Sequence, residues 1–198
     1  MADDLHPLRP GERIPGDWFD GTVPQNIVAG ECCRIDSSFC FKRYFSTRQP
    51  GLRLGTGVTL WRTMISVEPQ GEIVIGDNCV IANASLVCAE RLEIGRNVFI
   101  AGGVTIVDSD FHPLDPAVRL RDLVALSPVG DQRRRPAIET RPVYVGDDAW
   151  IGFNATICKG VRIGAGATVW PGSVVFADVP DDAVVRGNPA ASFEADGA

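Results

Sequence analysis

Two histidines occur in this chain, His6 and His112, and imidazole is the side chain best suited to moving a proton near neutral pH. His6 lies in an irregular opening segment. His112 stands in the stretch DSDFHPLDP, flanked by Asp108 and Asp110. A carboxylate on one ring nitrogen can fix the tautomer and favour the imidazolium, so either aspartate is a candidate partner. Such a histidine could take a proton from a weak nucleophile as that nucleophile attacks. The six cysteines, Cys32, Cys33, Cys40, Cys79, Cys88 and Cys158, contain no CxxC pair. They are expected to be reduced structural thiols, with neither a zinc site nor a redox motif.

What must position His112 is a repeat. An aliphatic residue recurs every six positions at Val145, Ile151, Ile157, Ile163, Val169 and Val175, and the fourth residue after each is small or β-branched. The same register is read upstream at Ile75, Ile81 and Val87, then at Ile94, Ile100 and Ile106 after a one-residue insertion. Six matches neither the helical period nor simple alternation. Each hexapeptide instead makes one short strand and one corner, and three of them close a triangular coil of about 18 residues whose aliphatic positions point inward. Successive coils pair their backbones about 4.8 Å apart. The expectation is an all-β fold, a parallel β-helix. PQNIVAG and LRLGTGVTLW read as degenerate first coils, and the 21 Gly and 14 Pro suit many tight corners.

The repeat breaks after Ile106 and resumes at Val143. A stretch of this length is too long for a corner, and long loops in compact domains are usually functional. It carries His112. The predicted organisation is an N-terminal extension at 1–19, a β-helix domain at 20–190 with an extruded loop at 107–142, and a tail at 191–198.

With its repeat and the DSDFHPLDP break, the chain resembles the hexapeptide-repeat acyltransferases, in particular the maltose and galactoside O-acetyltransferases. The resemblance implies a left-handed coil, against the usual crossover rule, and a catalytic base at His112. In that family an Asn from an earlier coil stabilises the charged intermediate; the matching stretch IANASLVCAE puts that role on Asn83, where an amide N–H would meet a developing oxyanion. Asn is also common at such corners because it tolerates positive φ. Glu90 is a further candidate for contacting the acceptor, together with Asp108 and Asp110.

The run from DDAWIG through GVRIG to GNPA is similar to the coils that bind acyl-CoA in this family. Gly152, Pro171, Phe176 and Ala177 fall at the matching positions. The family's Thr-Lys is here Phe176-Ala177, and Ala190-Ala191 replace the basic residue after GNP. Arg186, or the run Arg133-Arg134-Arg135, is the candidate substitute for contacts to the coenzyme phosphates. The resemblance also implies a homotrimer with active sites between prisms. Outward-pointing Trp150 and Trp170 agree with a covering partner or ligand.

The net charge of −6 disfavours a generic nucleic-acid binder. No apolar run approaches the roughly 20 residues of a membrane span, and MADDLHPLRPGER lacks the order of a signal peptide. A cytoplasmic protein is expected. The β-helix fold also hosts γ-type carbonic anhydrases, but two histidines cannot supply their three-histidine metal site. The leading reading is an acetyl-CoA-dependent O-acetyltransferase acting on a saccharide, without a metal. An N-acetyltransferase of an amino sugar and a non-catalytic scaffold are the alternatives. FCFKRYFSTRQPG, rich in aromatics and cations, is read as a cap on the open prism end in preference to a lining of the acceptor pocket.

Overall fold

Stretches of two to four residues rich in Ile, Val, Leu and Thr alternate buried with part-exposed positions, as in Glu72–Ile75 and Ser85–Cys88. Chain reversals between them fall on residues that accept positive φ. Asn78, Asn97, Asp148 and Asp182 sit at φ 56–60° at one corner, and Asn83 and Asn154 at φ 50° and 58° at another. Short polar side chains tolerate this left-handed conformation best after glycine. The computed structural model describes residues 5–131 and 134–193.

Every third strand pairs with its equivalent in the next coil, in parallel, giving three faces. The first runs through Ile27–Ala29, Leu52–Leu54, Glu72–Ile75, Arg91–Ile94, Val143–Val145 and Arg162–Ile163. The second includes Arg34–Ile35, Thr59–Trp61, Val80–Ala82, Phe99–Ile100, Trp150–Ile151, Thr168–Val169 and Val184–Gly187. The third runs through Met64–Val67, Ser85–Cys88, Thr105–Val107, Thr156–Ile157 and Val174–Val175. The core is the column of side chains pointing into this prism, with Leu60, Ile81, Ile100, Ile151 and Val169 stacked in register and fully buried. At the corner between the first two faces, Asp77, Asp147 and Asp181 each accept a backbone N–H from the preceding coil, those of Thr56, Arg96 and Ala165. This meets the backbone's need for partners where no strand supplies them.

The register differs from the sequence reading at one place. Leu86, not Val87, is the inward residue of its strand, aligned with Ile65 and Ile106, while Val87 pairs with Val107 and faces outward. The corner before it is shortened and the one after it lengthened, so a strict period mislabels the strand by one and flips its faces. Two corrections concern the irregular parts. The interruption is not all loop, because Pro116–Leu126 forms a helix, α1, capped by the Asp115 carboxylate on the Val118 N–H and opened by Pro116. The N-terminal segment is built into the first coil rather than a separate extension: His6–Pro7 pairs antiparallel with Arg34–Ile35, Arg13 bridges Thr22, and Leu8 and Ile14 are buried. A boundary at residue 19 cuts through that hairpin. At the other end, Ala190–Ser192 folds back antiparallel on Val184–Gly187; residues 194–198 lie outside the described part. No helix among the described residues is long and apolar enough to cross a membrane.

Candidate functional site

The interruption leaves the prism through a two-stranded neck. Ser109 bridges Thr140, the Asp110 N–H donates to the Glu139 carbonyl at 3.3 Å, and the Arg141 N–H donates to the Asp108 carbonyl at 2.8 Å. Lys159 clamps the neck from the next coil, 2.5 Å from Asp110 and 3.0 Å from Glu139. Beyond the neck the chain makes a tight turn at Phe111, φ 61°, with the His112 N–H donating to the Asp110 carbonyl at 2.6 Å. This turn and α1 hold the imidazole over the third face.

His112 Nδ1 lies 2.5 Å from Asp122 Oδ2 on α1. The Asp122 side chain is fully buried, that of His112 42% exposed. Arg135 Nε–H donates to the other Asp122 oxygen at 2.8 Å, its Nη2–H donates to the Phe111 carbonyl at 3.1 Å, and Nη1 pairs with Glu68 of an early coil. Burial by itself would raise the Asp122 carboxyl, but the hydrogen bonds and charges of Arg135 and His112 outweigh it and hold it below the usual carboxylate range. An ionised Asp122 accepts from Nδ1–H, which leaves Nε2 of the neutral ring with its lone pair available to take a proton. Arg135 thus joins the histidine turn, the helix and the coil into one network.

His112 borders a cleft of about 390 Å³ whose floor is the outward side of the third face, Met64, Ser66, Ser85, Val87 and Thr105, and whose wall includes Arg135. This arrangement can accept a proton from a hydroxyl or amine held in the cleft.

Several sequence-predicted residues stand elsewhere. Asp108 does not reach His112 or the cleft. It occupies an inward position beside Cys88, is fully buried, and accepts the N–H groups of Ala89, Glu90 and Arg91 at 2.7, 2.7 and 2.8 Å. The lengthened corner after Leu86 is thereby satisfied from the following coil. Asp110 is taken by Lys159. The histidine's partner is therefore Asp122, ten residues on, and the expectation for Asp108 and Asp110 is corrected: backbone N–H groups and Lys159 hold those two elsewhere, while α1 brings Asp122 to the ring. Glu90 accepts from Thr140 Oγ1 at 2.7 Å and ties down the neck; it is not among the residues bordering the cleft. Asn83 sits at the corner between the second and third faces, at φ 50°, and opens on a neighbouring cleft that shares Met64 and Ser85 with the first.

Of the positions matched to acyl-CoA coils, Gly152 packs so close to the next coil that a Cβ there would fall 2.7 Å from Pro171 Cδ. Phe176 is exposed. Arg186 lies 3.5 Å over the Phe193 ring, which continues an outward aromatic row through Trp170 to Trp150. Arg133 lies outside the described residues, Arg134 pairs with Asp131 at the surface, and Arg135 faces inward to Asp122. Asp122 is a functional candidate that sequence reasoning missed, and Arg135, read there as part of a run toward the coenzyme phosphates, is instead its partner. No group of three or more His, Cys, Asp or Glu among the described residues could hold a metal ion.

Residues 142–177 match the family model for bacterial transferase hexapeptide repeats, six in number. The chain is 39% identical to the protein YJL218W of Saccharomyces cerevisiae over 119 residues, 59% of this chain and 53% of that protein. It is 32% identical to the galactoside O-acetyltransferase of Lactococcus lactis over 107 residues, 54% of this chain and 44% of that one. It thus spans about half the length of these curated relatives. Among solved structures it is similar to the hexapeptide-repeat-containing acetyltransferase VCA0836 of Vibrio cholerae in complex with acetyl coenzyme A, at 28% identity and a TM-score of 0.57, covering 81% of this chain and 76% of that chain.

Proposed function

We propose that this chain transfers an acetyl group from acetyl-CoA to a hydroxyl of a saccharide, with His112 as general base in a ternary complex. The observation that carries the reading is the buried Asp122 carboxylate on His112 Nδ1, above an open cleft. Similarity to a galactoside O-acetyltransferase and to an acetyltransferase with acetyl-CoA bound supports the chemistry and the saccharide acceptor. Similarity to a hexapeptide-repeat acetyltransferase supports a left-handed coil; the homotrimer is assigned on the outward row Trp150, Trp170 and Phe193, which offers apolar surface for a neighbouring prism. Six free cysteines suit a reducing, cytoplasmic location.

In this reading the acceptor hydroxyl gives its proton to His112 Nε2 as its oxygen attacks the thioester carbonyl. The Asp122 carboxylate stabilises the imidazolium that forms. The tetrahedral intermediate carries an oxyanion, toward which the Asn83 amide N–H is assigned. Collapse expels the coenzyme A thiolate, which takes the proton back from His112, so atoms and charge balance without a metal. The pantetheine arm is assigned to the coils around Gly152, Pro171, Phe176 and Ala177, with Arg186 toward the phosphates. Exposed Phe176 offers apolar contact, and the close packing at Gly152 keeps that corner low.

The test is thiol release from acetyl-CoA in the presence of a panel of glycosides and amino sugars. His112→Ala is expected to fold and to lose about 10²–10⁴-fold in kcat, the usual contribution of a positioned general base. Undiminished turnover in that variant overturns the assignment. Transfer to amino sugars alone corrects the acceptor atom to nitrogen.

A further inference from the structure

The segment before the first coil carries a feature that acetyl transfer does not by itself explain. Trp18 is 74% exposed, yet the chain around it is firmly anchored. The neighbouring Asp17 carboxylate accepts the Phe19 N–H at 3.2 Å, the Ser37 hydroxyl at 2.6 Å, the Ser38 N–H at 2.8 Å and the Ser38 hydroxyl. The Trp18 ring rests against Phe39 at 5.2 Å and Phe19 at 5.9 Å between centroids. One face of a large aromatic is therefore held in place and left bare beside a cavity of about 410 Å³, a size typical of small-molecule sites.

The remaining walls are polar. Asp36 accepts the Arg62 backbone N–H at 2.9 Å, so both residues line one rim, with the Arg62 guanidinium over the Trp61 ring. Asn83 lines the same cavity, and its side-chain amide makes no hydrogen bond among the described residues. A ligand suited to these walls has a flat apolar face and a rim of groups that both donate and accept hydrogen bonds. A pyranose ring has both: a C–H face that stacks on an aromatic ring and hydroxyls that donate and accept. The cavity also borders the His112 cleft, with Met64 and Ser85 lining both.

We propose that this cavity is the acceptor subsite, with Trp18 the platform on which a neutral saccharide ring stacks while a hydroxyl of the same or the next sugar reaches His112. The proposal rests on the acetyl-transfer reading for its catalytic half. It also gives the FCFKRYFSTRQPG segment two tasks, since Phe39 lines the subsite and Phe41 is buried in the core.

The experiment uses the full chain with p-nitrophenyl galactoside and the methyl glycosides of glucose, galactose and N-acetylglucosamine. Steady-state kinetics and saturation-transfer NMR are recorded for the wild type, Trp18→Ala and Trp18→Phe. Loss of the platform is expected to raise the acceptor KM about tenfold, equivalent to about 1.4 kcal/mol, with the KM for acetyl-CoA within about twofold, as befits loss of a binding contact made by the acceptor alone. Phe is expected to restore most of the loss. Saturation transfer to the glycoside is expected in the wild type and weakened by Trp18→Ala. Unchanged acceptor KM and unchanged saturation transfer in Trp18→Ala overturn the subsite, as does a wild type that binds none of the glycosides. Saturation transfer that depends on Trp18 without any acetyl transfer overturns the catalytic reading and leaves the saccharide site standing. A smaller mass by light scattering for Trp18→Ala makes Trp18 a contact between subunits and overturns the platform.

Discussion

Replacing Asp122 by Asn changes one oxygen to an amide nitrogen at almost constant shape, and the network around it dictates the consequence. In the native chain both carboxylate oxygens accept, one from His112 Nδ1–H at 2.5 Å and one from Arg135 Nε–H at 2.8 Å. An Asn side chain has only one accepting oxygen. Arg135 cannot become an acceptor, so that oxygen turns to Arg135 and the NH₂ faces His112. Nδ1 must then accept, and the ring proton moves to Nε2, the atom that takes the acceptor's proton in the proposed mechanism. The same substitution beside a catalytic histidine in a serine-protease triad costs about 10⁴-fold in kcat through the wrong tautomer; each decade is about 1.36 kcal/mol of barrier, so about 5 kcal/mol is at stake. The assay is kcat at saturating acetyl-CoA and acceptor, with circular dichroism to check the fold. Nitrogen-15 NMR of the imidazole reads the tautomer independently of turnover. A variant that keeps kcat within about tenfold, or whose ring keeps its proton on Nδ1, refutes the argument that Asp122 orients His112.

Three further outcomes test the frame that carries the site. Leu86→Ala is expected to destabilise by about 2–5 kcal/mol, as for a fully buried leucine, whereas Val87→Ala, facing outward, is expected to cost less than about 1 kcal/mol; chemical denaturation that reverses this order overturns the register. Asp108→Ala strips an acceptor from three N–H groups and is expected to cost about 3 kcal/mol, read as a melting temperature lower by roughly 6–12 °C; an unchanged melting curve shows that water replaces the carboxylate. Burial would raise the Asp17 carboxyl, but hydrogen bonds from Ser37, Ser38 and Phe19 pull it below its ordinary value. A depressed folded-state pKa contributes stability that is present above the unfolded value of about 3.9 and is lost as pH falls through the folded one. Tryptophan emission is therefore expected to change below about pH 4 as the Trp18 turn is released, and Asp17→Asn is expected to abolish that step; an identical acid transition in the variant counts against Asp17 as the anchor.

The run from Val145 to Val175 was legible because every coil there repeats without insertion, and inward positions follow from spacing when strand and corner lengths are constant. Constancy fails between Ile81 and Ile94, where one corner shortens and the next lengthens. The total still lets the period resume, so Val87 reads as inward although Leu86 is. Only the pairing of neighbouring coils decides between them. The reason for the insertion is equally remote: its N–H groups are satisfied by Asp108 from the next coil.

The candidate site divides the same way. His112 could be picked out from the sequence, since it stands in the one long break of a regular array. Its partners could not. Asp122 reaches the ring because α1 turns that residue inward, and Arg135 joins it to Glu68, a residue 67 positions before Arg135 in the chain. Trp18 belongs to a segment without register, and its place on the same cavity as Asn83 depends on how the hairpin packs on the first coil. A repeating pattern specifies a periodic core because each unit meets its copy under the same local rules. The groups of the candidate site come from the interruptions, whose contacts are long-range and have no period to be read.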